Sequence, residues 1–147
     1  MAIERIFVRT YKLATSLVGT VVAAATLVTG ATPASATGPC GSSYNRVGVY
    51  NIGVDKYGYR TGVLEVYYSS STGKNCALTY GDGPYANTTS WKGVIISRAD
   101  GSGRDSDAGE YQYYAGPVYV SAPGQCIDVE GVSPAWTVTT LNDVHCG

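Results

Sequence analysis

Few side chains in this sequence could do chemistry, and their spacing decides what each could do. His145 is the single histidine among 147 residues. A serine or cysteine nucleophile needs a base within hydrogen-bond reach, itself oriented by a third group. His145 stands beside Cys146 with no such set in view, which reads as a packing role. Asp128 and Glu130 alternate with Ile127 and Val129. On a strand their side chains would lie about 7 Å apart, two rises of roughly 3.4 Å, a spacing open to two-carboxylate glycoside chemistry. The same alternation describes the solvent face of a half-buried strand, and that reading prevails because nothing else marks a cleft. Asp100, Asp105 and Asp107 sit in the run ADGSGRDSDAG and could gather calcium. The calcium-loop pattern D-x-[DN]-x-[DN]-G is not met, and aspartates in such runs bond their own turn backbone. Asn87-Thr88-Thr89 matches a glycosylation sequon and reads as a polar loop. No catalytic, cofactor-binding or metal-binding residue is expected, no cofactor is implied, and the chain reads as a non-enzyme.

The cysteines and tyrosines are more informative. Cys40, Cys76, Cys126 and Cys146 form an even set with no C-x-x-C pair, which points to two disulfides and away from zinc. A wide antiparallel hairpin of Gln125–Glu130 with Leu141–Cys146, joined through Gly131–Thr140, would set Cys126 opposite Cys146. Cys40 would then tie the start of the domain to Cys76. The rival pairing clamps Cys40 to Cys146 and leaves Cys76 with Cys126. Twelve tyrosines follow residue 36, more than a small core can hide with every hydroxyl bonded. Tyr67-Tyr68 and Tyr113-Tyr114 are adjacent pairs, so on strands one of each must face outward. Exposed tyrosine stacks on sugars and proteins at low entropic cost. These four are therefore candidate surface-adhesion residues.

The elements that must position these groups are strands. After residue 36 the chain holds only Leu64, Leu78 and Leu141 as leucines, against abundant Val, Tyr and Thr, with Trp91 and Trp136 counted as core material. That balance favours β structure. Tyr44–Ile52, Thr61–Ser69, Lys74–Tyr80, Trp91–Arg98, Glu110–Tyr114, Val118–Ala122, Gln125–Glu130 and Thr137–Cys146 read as strands. Ala99–Gly109 reads as a loop, and Ser70–Gly73 as the turn of the clearest hairpin. Gly116-Pro117 marks a bulge or an edge, since proline cannot donate to a ladder. The expectation is an all-β, disulfide-bonded antiparallel sandwich or barrel of about seven or eight short strands.

The beginning of the chain reads as an export signal. Arg5, Arg9 and Lys12 precede an uncharged run from Leu13 to Val28, closed by Ala34-Ser35-Ala36. This is a basic start, an apolar middle and a small-residue cleavage site. The 16-residue run is shorter than the roughly 20 a spanning helix needs. Residues 1–36 are therefore expected to be a signal peptide with a signal helix, cut after Ala36. Residues 37–147 are expected to be one secreted β domain, free of the membrane after cleavage. That domain keeps 7 of the 10 basic and 10 of the 11 acidic residues, without the basic stripe of a nucleic-acid binder.

A series of segments also carries a family likeness. In order they are Cys40-Gly41, Tyr67-Tyr68, Ser71-Thr72-Gly73-Lys74-Asn75-Cys76, Asp107-Ala108-Gly109-Glu110-Tyr111, Tyr113-Tyr114-Ala115-Gly116-Pro117-Val118, Ala122-Pro123-Gly124-Gln125-Cys126 and His145-Cys146-Gly147. Together they resemble the spore-associated protein A family of small secreted actinobacterial proteins. The likeness is weakest over Val132–Asn142. It implies a secreted protein found with aerial spores, sporulating hyphae or the surrounding medium, and it carries over no catalytic residue. The expectation is a spore- or cell-surface-associated protein with spore or cell-wall surface components as partners. A secreted binding module, glycan-binding or protease-inhibitor-like, is the alternative reading.

Overall fold

Alternation of apolar and polar side chains divides most of the chain into two-faced strands. The computed structural model describes residues 38–147. The expected signal segment, its cut after Ala36 and the Thr37 terminus lie outside the described residues. Eight strands follow in order: β1 Asn45–Val54, β2 Arg60–Ser69, β3 Lys74–Gly81, β4 Ser90–Arg98, β5 Asp105–Tyr111, β6 Tyr114–Ser121, β7 Ile127–Val132 and β8 Val138–Val144. A single 3-10 turn, Gly83–Tyr85, interrupts them, opened by the Asp82 carboxylate accepting from Gly83 N at 2.7 Å.

The strands form two separate four-stranded antiparallel sheets, β1-β2-β3-β6 and β5-β4-β7-β8. Of the two architectures expected, the sandwich is the one observed and the barrel is not. Between the sheets lie Ile52, Leu64, Val66, Ala77, Val118 and Val120 from one side, with Val94, Ile96, Ile127 and Val129 from the other. Full burial of each large aliphatic among them contributes about 1.5–3 kcal/mol. Valine and isoleucine thus do the work that leucine does in most cores. Gly131 lets the layers close together, because a Cβ there would come within 2.7 Å of Ile52 Cδ1.

Each open seam of the sandwich is sealed by side chains from the opposite sheet. At the β1–β8 seam, the Thr137 and Thr139 hydroxyls donate to the carbonyls of Ile52 and Asn51 at 3.3 and 3.1 Å. At the β5–β6 seam, the Asp105 carboxylate accepts from Tyr119 N at 2.9 Å and Asp107 accepts from Gly116 N at 2.7 Å. Edge groups that would otherwise face solvent or a second chain are satisfied in this way.

Three boundaries differ from the sequence expectation. The polar run Ala99–Gly109 is not all loop, because β5 begins within it at Asp105 and pairs with β4 from Ile96 onward. Glu110–Tyr114 is not one strand but the end of β5 and the start of β6, with the chain reversing at Gln112–Tyr113. The hairpin expected to span Gly131–Thr140 is tighter, with Val132 already paired to Val138. Gly116-Pro117 lies in β6, an edge strand, opposite the register irregularity between Ala77 and Thr79, where the missing donor is tolerated.

The disulfides join Cys40 to Cys76 and Cys126 to Cys146, with Cα separations of 6.1 and 3.9 Å. The second spans the β7–β8 hairpin beyond its last paired residues, Ile127 and Val144. The first pins the segment before β1 onto the outer face of β3. There Cys40, Cys76 and Leu78 form a small second core flanked by Tyr44, Tyr67, Tyr80, Tyr114 and Tyr119.

Candidate functional site

The residues with catalytic potential are dispersed and committed to the fold. His145 lies across β1, its Nε2 at 2.9 Å from the Tyr50 hydroxyl. Burial holds the ring below its ordinary value, which favours the neutral imidazole. It lines a hollow of about 180 Å3 with Val47, Tyr68, Asn75 and Ala122. Asp128 and Glu130 share the outer face of β7 as the alternation implied. Asp128 accepts from Asp143 N at 2.9 Å and Glu130 pairs with the Thr140 hydroxyl at 3.1 Å. Asp100, Asp105 and Asp107 do not converge. Asp100 accepts from Ser102 N at 2.9 Å, while the other two reach β6. Among the described residues no three His, Cys, Asp or Glu side chains are grouped to hold a metal ion. Asn87-Thr88-Thr89 is an exposed loop in which the Thr88 hydroxyl donates to Tyr85 O at 2.8 Å.

The four tyrosines singled out from the sequence are placed differently from one another. Tyr67 and Tyr114 belong to the outer face of the first sheet. Tyr67 donates to Glu65 at 2.6 Å, and burial followed by that bond pushes its pKa up to about 12. Tyr114 packs on Tyr80 with ring centroids 5.5 Å apart, beside the edge-on pair Tyr44–Tyr119 at 5.7 Å. Arg46 closes this patch through a 2.8 Å ion pair to Glu65. Tyr68 instead lines the hollow beside His145, and Tyr113 projects at the β5–β6 reversal with 58% of its surface exposed. The first sheet thus presents a half-exposed tyrosine face held over a disulfide.

The second sheet presents the feature that the sequence reading missed. Trp136 is not core material: 68% of its surface is exposed. It occupies the hairpin turn between β7 and β8, where Trp136 N donates to Ser133 O and Ser133 N to Thr137 O, both at 2.9 Å. Its φ is +58°. Among the described residues the other non-glycine positions with positive φ are Asn87, Asp143 and His145, types that tolerate this region, whereas a bulky aromatic there is an outlier. Left-handed geometry costs a side-chain-bearing residue about 1–2 kcal/mol. Trp136 stacks on Trp91 with centroids 4.8 Å apart and planes 24° from parallel, worth about 0.5–1.5 kcal/mol. The strain offsets the stacking term, so tryptophan here stabilises the fold only through the limited area that the two rings cover. Trp91 itself lies over Gly93, where a Cβ would meet its ring at 3.1 Å. The signal was present in Ser133-Pro134-Ala135-Trp136, a proline-led turn ending in a tryptophan at the position that suits glycine.

These features define a small, disulfide-bonded β-sandwich with aromatic side chains on both outer faces. Its sequence is 42% identical over 119 residues to spore-associated protein A of Streptomyces coelicolor, an alignment covering 79% of this chain and 70% of that protein. The chain belongs to the spore-associated protein A family. No family model matches it, and no solved structure matches its fold.

Proposed function

We propose that this is a secreted, non-catalytic protein that associates with spore or cell surfaces. The relationship to a protein named for its association with spores carries this reading. Two disulfides suit an oxidising, extracellular setting. The aromatic outer faces supply adhesive area, and the carboxylates and His145 are occupied by structural bonds. Purified protein should sediment with spores or cell-wall particles. His145→Ala should sediment equally well, since the ring serves β1 and not a reaction. Hydrolase turnover that disappears in this variant would overturn the non-enzyme reading. The glycan-binding alternative is favoured by one observation, the exposed Trp136 on Trp91. An inhibitor would have to act through the exposed turn Pro123–Gln125 before Cys126, and a panel of secreted proteases tests that directly.

A further inference from the structure

We infer that the Trp91–Trp136 stack is the platform of a binding site for an amino-sugar polymer, with Glu110 as the acceptor for its nitrogen. The inference deepens the surface-association reading and rests on it.

The platform is built for contact with something outside the chain. Trp136 holds a backbone conformation that suits glycine, at the tip of a tight hairpin, with most of its ring in solvent. Such an outlier points from structure to function, because folding alone does not require it. The surroundings narrow the ligand. Register sets Glu110 directly opposite Trp91 and on the same face. Further along β4 and β7, Ile95, Arg104, Asp128, Glu130 and Thr140 line an open hollow of about 320 Å3. Ile95 lies four residues from Trp91, about 13 Å along the strand. Gly93 and Ala108, paired between them, keep the intervening surface low.

A pyranose ring presents a flat C–H face for an indole and a rim of hydroxyls for hydroxyl and carboxylate acceptors. An extended chain of such rings would run from the tryptophans into the hollow. The charge selects among sugars. Along β4, β5 and β7 the carboxylates Glu110, Asp128 and Glu130 outnumber Arg104, and the ion pairs among the described residues, Arg46–Glu65 and Arg60–Asp82, use none of these three. An acidic polysaccharide is therefore disfavoured. A ring bearing an ammonium or amide nitrogen is matched by Glu110, beside an aromatic surface that itself attracts cations. A lysine-rich peptide would satisfy the charges and could set an ammonium over the stack, but it has no flat C–H ring face to lie along an indole.

The chain contains only these two tryptophans, so tryptophan emission, excited beyond the absorption of the tyrosines, reports this site alone. Titration of the purified protein with the β-1,4-linked glucosamine hexamer and with its N-acetylated form should shift the emission, while polygalacturonate should not. Trp136→Gly should weaken hexamer binding by about tenfold or more, the loss expected for an aromatic anchor, while a cooperative thermal unfolding transition shows that the fold is kept. Glu110→Gln should weaken the glucosamine hexamer more than the N-acetylated one, which separates the two sources of amino sugar. No emission change with either hexamer, a response to oligolysine alone, or full affinity in Trp136→Gly overturns the site. If the protein still sediments with spores while ignoring both hexamers, surface association stands and this site is removed.

Discussion

At His145, burial and a single hydrogen bond to Tyr50 set both the charge of the ring and its job. Desolvation penalises the imidazolium, so the folded protein takes up this proton at a pH below the ordinary 6.5 of the unfolded chain. Between those two values the unfolded chain binds more protons. The stabilising contribution is therefore complete above 6.5 and is lost as pH falls toward the folded value. Thermal melts recorded from pH 7 downward should show Tm declining just below 6.5, and His145→Ala should lose that part of the decline. A variant with an unchanged pH profile would mean the ring titrates as it does in water. The same residue shows why the surroundings of a lone histidine are hard to read from a sequence. Its neighbour in the fold, Tyr50, is 95 positions away, beyond the reach of any motif.

At the scale of elements, legibility followed periodicity. The hairpin of β2 and β3 was readable because Leu64, Val66 and Tyr68 alternate with Val63, Glu65 and Tyr67, and a glycine-bearing turn follows. β5 was not, because DSDAGEY carries little that favours a strand. Its pairing with β4 and its carboxylate bonds to β6 override local preference. Of the three aspartates weighed as calcium ligands, Asp105 and Asp107 are therefore seam residues, and Asp100 bonds its own turn at Ser102. Asp107→Ala should destabilise the protein by about 1.5–3 kcal/mol, the range for a hydrogen bond to a charged group, measured by urea denaturation. A cost near zero would mean that water replaces the carboxylate at Gly116. Lys92 is a second case that polarity concealed. Its side chain is fully buried in β4, with Nζ 2.7 Å from Tyr111 O and 2.9 Å from both Thr88 O and Ser90 Oγ. Burial lowers its pKa from the ordinary value. Lys92→Met should cost about 1–3 kcal/mol by leaving those acceptors without a donor.

For the whole molecule, the disulfides matter because the hydrophobic core is thin in large side chains. The bridges close loops with sequence separations of 36 and 20 residues. In the chain-entropy account each such loop contributes about 3–4 kcal/mol, against a total of roughly 5–15 kcal/mol for a typical domain. The two bridges act on different parts. Cys40–Cys76 fastens the segment before β1 over the tyrosine face, whereas Cys126–Cys146 closes the β7–β8 hairpin that carries Trp136, Thr137 and Thr139. Replacing Cys126 and Cys146 together by serine should lower unfolding stability by about 2–4 kcal/mol, and the looser hairpin should leave the emission of Trp136 more solvent-like. Replacing Cys40 and Cys76 should cost a similar amount but leave that emission unchanged, because the bridge lies on the opposite sheet. Equal changes in tryptophan emission from both double variants would mean that the sandwich loosens as one unit and that the two faces are not independently held. Non-reducing peptide mapping fixes the starting point: a fragment joining Cys76 to Cys126 would contradict the pairing on which both expectations depend.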